Sequence, residues 1–172
     1  MTKAIAAAVL IAAVLCASAA GQEAGSSCPM HAQHMAQDEH HAGVDARGDK
    51  AMGFPHDKTS HHFLLKEDGG AIEVVANDAA DKQNIEAIRG HLKHIAVMFT
   101  DGDFSTPMFI HDRVPPGVPL MKEKKIEYKY EEMQAGGRIV IRSADPEAVA
   151  AVHDFLKFQI EDHRTGDQAE VK

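Results

Sequence analysis

Residues 84–99 read NIEAIRGHLKHIAVMF, and their periodicity indicates one amphipathic α-helix. The apolar side chains recur at steps of three and four and so share one face; they are Ile85, Ile88, Leu92, Ile95 and Phe99. His91, His94 and Met98 follow the same spacing along one flank of that face. Imidazole and thioether groups bind metals, and helical spacing can bring them together. The alternative is that Met98 fills the core and both histidines are solvated.

Two predicted β-hairpins and a second helix complete a repeat. The hairpin strands lie at 61–65 and 71–76, and at 125–131 and 138–142, with Gly-Gly pairs at both turns. The second helix starts at Asp145-Pro146 and has His163 on the continuation of its apolar stripe, with His153 to the side. Two ββα halves predict an α+β fold, in which two helices pack on one face of a four-stranded antiparallel sheet. Pairing of the halves about a pseudo-twofold axis would bring His91 and His153 towards one seam.

Histidines outside the two predicted helices are also candidate ligands. His61 and His62 are adjacent in a predicted strand, so at most one of them faces a shared site. His111 lies in an apolar run within a predicted loop at 104–117, where burial would require a partner such as Asp112, backbone or a metal.

Composition divides the chain into four parts. Residues 1–20 have a positive residue, an apolar run and small residues at the end, which predicts a secretory signal peptide. Residues 21–53 are polar and rich in small residues, which predicts a disordered His/Met/Cys-rich arm. Residues 54–167 form the α+β domain, and 168–172 a frayed tail. The predicted location is periplasmic or secreted, without a membrane anchor after cleavage.

The arm carries a concentrated set of soft and intermediate metal ligands, followed by His40-His41. The candidates are Cys28, Met30, His31, His34 and Met35. Thiol, thioether and imidazole suit copper better than magnesium or calcium, which prefer oxygen ligands. The alternative is adventitious binding by a histidine-rich tail.

The overall charge and aromatic content argue against nucleic acid as a partner. The formal net charge is −8, Trp is absent, and no basic patch with interleaved aromatic residues occurs. Twelve histidines are the unusual feature of the composition.

The domain resembles a family of small exported bacterial proteins over about residues 54–167. The resemblance rests on Thr59-Ser60-His61, the Gly-Gly hairpin, Ile88-Arg89-Gly90-His91-Leu92 with Ile95-Ala96, Gly102-Asp103-Phe104-Ser105 with Pro107, Ile110-His111, Pro116-Gly117, and His153 with Gln159 and Asp162-His163. Members are often labelled aspartate carbamoyltransferase, and many carry His/Met-rich tails. The resemblance implies an exported, metal-related protein with His61, His91, His111, His153 and His163 as the positions to test. A carbamoyl phosphate site is not expected, because the chain lacks a basic phosphate-binding loop.

These observations predict an exported metal-binding protein, with copper as the favoured ion. The candidate ligands in the domain are His61, His91, His94, Met98, His111, His153 and His163, and Asp112 and Asp162 are candidate orienters of neighbouring histidines. One alternative is a haem-binding or redox protein with axial histidines. Another is an exported interaction domain without metal, with a homodimer or a protein partner left open. Enzymatic activity is not favoured, since no compact catalytic motif is present.

Overall fold

The computed structural model describes residues 29–171, with side chains from residue 33 onward. The predicted signal peptide at 1–20 and Cys28 lie outside the described residues, and so do the side chains of Met30 and His31. Within 29–171, no helix combines the length and apolarity that crossing a membrane requires.

A four-stranded antiparallel sheet confirms the predicted α+β fold. The strands are β1 (Thr59–Lys66), β2 (Gly69–Ala76), β3 (Glu127–Met133) and β4 (Gly136–Arg142), and their order is β1-β2-β4-β3. The two hairpins join through β2 and β4, with Ile72 opposite Ile139. The central strands therefore come one from each half of the chain, as the repeat predicts.

Two long helices cover one face of this sheet. Asp81 is the N-cap of helix α2 (Lys82–Thr100), and its side chain accepts a hydrogen bond from the backbone N–H of Asn84. Helix α5 (Pro146–Asp162) begins in the same way, with Asp145 accepting from Glu147. The apolar stripes of both helices pack against the inner face of the sheet and form the main core.

The N-terminal segment differs from the sequence prediction. Residues 29–52, predicted as a disordered arm, form helix α1 (Pro29–Met52). The segment is rich in helix formers and ends at Gly53, whose positive φ of 77° suits a helix C-terminus. Its apolar residues lack helical periodicity, and Val44 is the one fully buried apolar side chain among those described in it, so the amphipathic signal is weak.

The predicted loop at 104–117 also contains helical structure. Helix α3 (Ser105–His111) and helix α4 (Val118–Met121) connect α2 to β3. Arg47 of α1 donates to the carbonyl oxygen of Ile110 at 2.7 Å, so the C-terminal half of α1 docks on α3. This docking places α1 beside the start of β1 and the end of α5.

Candidate metal centre

Four of the predicted histidines line one small cavity, which we call the inner chamber. His61 comes from β1, His91 from α2, His111 from α3, and His163 from the residue that follows α5. The cavity has a volume of about 70 Å³. Its other lining residues are Met52, Phe63, Ile72, Val74, Leu92, Ile95, Phe99, Thr106, Pro107, Ile110, Phe155 and Gln159. The fold thus brings together imidazoles that are up to about a hundred residues apart in the chain.

Three of the four imidazole rings form a contiguous series, and the ring of His91 packs apart from it. The rings of His61 and His163 are parallel within 3°, with centroids 5.8 Å apart. His163 meets His111 edge-on at 5.0 Å. His91 packs edge-on against Phe54 at 5.7 Å. No hydrogen bond to another described residue occupies the rings of His61, His91 or His163.

The environment keeps these imidazoles neutral. Burial, followed by the nearby His91, lowers the pKa of His61 to about 4. Burial and then His94 lower the pKa of His91 to about 4. Burial, His61 and His111 together lower the pKa of His163 to about 3. Neutral imidazole is the form that binds metal ions, so the rings are ready to act as ligands near neutral pH.

His111 is held differently from the other three. It is 1 % exposed, and its Nδ1 lies 2.5 Å from Oδ2 of Asp162 while its Nε2 lies 2.9 Å from Oε1 of Gln159. Burial lowers the pKa of His111 even though these hydrogen bonds act in the opposite direction. Both ring nitrogens are therefore engaged, and His111 is a positioning residue rather than a free ligand.

Asp162 ties three elements together at this site. Besides His111, its carboxylate accepts from His40 Nε2 of α1 at 2.8 Å and from Arg113 at 2.9 Å. Burial alone would raise the pKa of Asp162, but the hydrogen bonds from His40 and His111 lower it overall. The expected role of Asp162 as an orienter thus concerns His111 and His40, not the adjacent His163.

A second, more polar cavity adjoins the inner chamber. This outer pocket of about 260 Å³ shares Met52, His61 and His163 with the chamber. Its remaining lining residues are Val44, Asp45, Gly48, His56, Thr59, Ser60, His62 and Thr165. The two cavities are therefore neighbours across the side chains of Met52, His61 and His163.

Three predicted ligands of the domain lie elsewhere. His94 is exposed, because it lies about 160° around the helix from the buried Leu92. Met98 is half-buried and its sulfur accepts from the Thr106 hydroxyl. His153 bonds the carbonyl oxygen of Lys66 at 2.9 Å and lies ten residues before His163, about 15 Å along the helix axis. His91 therefore lines the chamber and His153 does not.

Other predicted site residues are also placed by the structure. His34 and Met35 are exposed on α1. Asp112 is exposed and does not bond His111. His62 bonds Asp167, so only His61 of the adjacent pair reaches the chamber.

Sequence reasoning missed Met52 as a lining residue and Gln159 as a partner of His111. In the sequence, Gln159 stands out only as one of the residues that carry the family resemblance. Its spacing of four residues before His163 was the available signal, because side chains at this spacing are neighbours on a helix.

The chain matches no protein-family model, no curated protein and no solved structure. The family resemblance therefore stays a prediction. Among the described residues, no group of three or more His, Cys, Asp or Glu side chains is arranged to hold a metal ion. The chamber brings imidazoles into proximity without arranging them in a coordination geometry.

Proposed function

We propose that this chain is an exported metal-binding protein whose domain binds one ion, most favourably copper, in the inner chamber. The observation that supports the proposal is the meeting of four imidazoles, from four separate parts of the fold, in one small cavity. His61, His91 and His163 are the proposed ligands, because His111 uses both ring nitrogens on Asp162 and Gln159.

The absence of protein partners for the proposed ligand rings favours a ligand role. The ring nitrogens of His61, His91 and His163 bond no described residue and are not among the fully buried unpartnered atoms, so they are free to coordinate an ion. A metal ion would engage all three. The rings are stacked or edge-on, so binding of one ion requires rotation about their side-chain torsions.

The chemistry of the ligands favours copper. Among divalent first-row metals, copper has the highest affinity for nitrogen-rich sites. The thioether of Met52, which lines the same chamber, is a further soft group suited to Cu(I). A chamber of about 70 Å³ accommodates an ion and solvent but is far below the roughly 300 Å³ or more of pockets for larger ligands, so the haem alternative is not favoured.

In this proposal, helix α1 captures the ion and delivers it to the chamber. Its exposed first half carries His34 and Met35, and the chain positions before them carry Cys28, Met30 and His31. Its second half reaches the outer pocket through Asp45 and the chamber through Met52. An ion captured by the arm would therefore enter the site along the same element.

The test uses the chain after signal removal, with the arm ligands replaced. This arm-silent variant carries C28S, M30L, H31Q, H34Q and M35L. Equilibrium dialysis against copper followed by elemental analysis should find one ion per chain. We expect His61→Gln or His163→Gln to abolish that ion, whereas His94→Gln and His153→Gln should retain it, because those side chains lie outside the chamber. The proposal is contradicted if the arm-silent variant binds no copper. It is also contradicted if His163→Gln leaves copper binding unchanged.

A further inference from the structure

The outer pocket has room for a small organic molecule and lies outside the inner chamber. Its volume is about 260 Å³, which corresponds to about eight or nine water molecules at about 30 Å³ each. Pockets for drug-sized ligands take about 300–1,000 Å³, so a ligand of the outer pocket is smaller than those. The walls come from α1, β1, the turn before β1 and the residues after α5.

The three hydroxyl groups of the outer pocket have already used their hydrogens. Thr59 Oγ1 donates to a backbone carbonyl oxygen at 3.1 Å, and Ser60 Oγ donates to Oδ1 of Asn77 at 2.7 Å. Thr165 Oγ1 donates to Oδ2 of Asp167 at 2.7 Å. A hydroxyl has one hydrogen and two lone pairs, so these three groups can only accept further hydrogen bonds.

The carboxylate of Asp45 adds a negative charge with unused acceptor oxygens. The cationic groups beside it, His56 Nε2 and Arg164 Nη2, lie 3.8 and 3.7 Å away, beyond hydrogen-bond distance. Burial alone would lower the pKa of His56, but the carboxylates of Asp49, Asp45 and Asp57 together raise it. Negative charge therefore prevails on this side of the pocket, and the oxygens of Asp45 are free to accept.

Two neutral imidazoles complete the set of acceptors. His61 and His163 line the outer pocket, and their rings bond no described residue. Burial is the main cause that lowers the pKa of His61 to about 4 and that of His163 to about 3. A neutral imidazole keeps one acceptor nitrogen and carries no charge that would repel a cation.

We propose that the outer pocket is a binding site for a small organic ammonium ion. A primary ammonium group has three N–H donors and one positive charge, which matches a pocket whose hydroxyls and carboxylate can only accept. The formal net charge of −8 also favours the approach of a cation. This site is separate from the copper site proposed above and needs no metal ion.

The experiment titrates the chain after signal removal, kept free of metal with EDTA, with three butyl compounds of similar shape. Butylammonium has the charge and the N–H donors, butyltrimethylammonium has the charge without the donors, and 1-butanol lacks the charge. The amide chemical shifts of the ¹⁵N-labelled chain report binding. We expect butylammonium to give saturable shifts at the amides of Asp45, Ser60 and Thr165. The other two compounds should bind at least about fivefold more weakly.

Two outcomes of the titration would overturn the proposal. One is that butylammonium gives no saturable shifts at the amides of the pocket. The other is that butyltrimethylammonium or 1-butanol binds less than fivefold more weakly than butylammonium, because the N–H donors or the charge would then not be recognised.

A charge-matched pair of variants tests Asp45 itself. Asp45→Asn should weaken butylammonium binding about tenfold. Asp38→Asn removes the same charge from an exposed position on α1 and should leave binding unchanged. Equal binding by the two variants would overturn the assignment to Asp45. If circular dichroism shows that Asp45→Asn does not fold, Ser60→Ala takes its place, and unchanged binding in that variant would overturn the site. Copper binding by the arm-silent chain is a separate result, so either proposal can fail without the other.

Discussion

At the scale of single residues, Asp162 is the side chain on which the site geometry depends most. It is 7 % exposed and accepts hydrogen bonds from His111, His40 and Arg113. Asp162→Ala leaves buried donors without an acceptor, so we expect it to lower the free energy of unfolding by about 3 kcal/mol. Urea unfolding followed by circular dichroism measures this change.

The matched control for Asp162 is on the same helix. Asp154 is exposed on α5, and Asp154→Ala should change the free energy of unfolding by no more than about 0.5 kcal/mol. Equal effects of the two substitutions would show that the Asp162 network does not stabilise the fold.

Residue patterns predicted part of the site. His163 lies on the continuation of the apolar stripe of α5, and His61 is the one of two adjacent strand histidines that faces inward, and both line the chamber. The partner of His111 was not predictable, because Asp162 is 51 residues away and adjacency in sequence favoured Asp112. Side-chain partners across the fold depend on packing that local spacing does not encode.

At the scale of elements, the junction between the hairpins requires close approach of two strands. A Cβ at Gly136 would overlap the backbone carbonyl oxygen of Val74, and the two residues belong to strands that are paired in the sheet. We therefore expect Gly136→Ala to lower the free energy of unfolding by more than about 2 kcal/mol. Thermal unfolding measures the effect.

For a glycine in α2 we expect that substitution raises stability. A Cβ at Gly90 would meet nothing within 4 Å, and the residue lies inside a helix. Gly90→Ala should raise the free energy of unfolding by about 0.5–1 kcal/mol, since alanine is the better helix former. A loss of stability in Gly90→Ala, or none in Gly136→Ala, would contradict the packing described here.

Helix α1 is expected to unfold separately from the sheet. Val44 is its buried apolar contact, so Val44→Asp should release residues 40–52 while β2 and β4 stay folded. Hydrogen exchange should show faster exchange of the α1 amides only. Ala46→Asp, at an exposed position two residues away, is the control and should leave the exchange unchanged.

The elements of the two ββα halves were predictable, and α1 was not. Strand alternation, Gly-Gly turns and acidic N-caps all indicate the same hairpins and helices, and the structure has them. The apolar stripe of α1 is too weak to read from periodicity, because α1 docks through the buried Val44, the half-buried Met52 and polar contacts. The polar contacts come from Arg47 and His40.

At the scale of the whole molecule, the neutral histidines predict acid sensitivity. The pKa values of His61 and His91 are lowered to about 4 and that of His163 to about 3, against 6.5 in the unfolded chain. Between about pH 6.5 and 4 the unfolded state binds more protons, so stability is present above this window and is lost as the pH falls through it. Each histidine contributes at most about 1.4 kcal/mol of lost stability per pH unit.

Urea unfolding at a series of pH values between about 7.5 and 4 tests whether stability falls on acidification. His163→Gln should reduce the slope of the free energy of unfolding against pH by the equivalent of about one bound proton. His94→Gln, at an exposed position, should leave that slope unchanged. A stability that is constant or rises on acidification contradicts the burial of these imidazoles.

The central claim is that the inner chamber itself binds copper. The most direct measurement is an anomalous difference map at the copper absorption edge, from crystals of the copper-loaded arm-silent chain. We predict one peak enclosed by His61, His91 and His163, with these three side chains rotated towards it. A peak at any other histidine, or none, would contradict the claim.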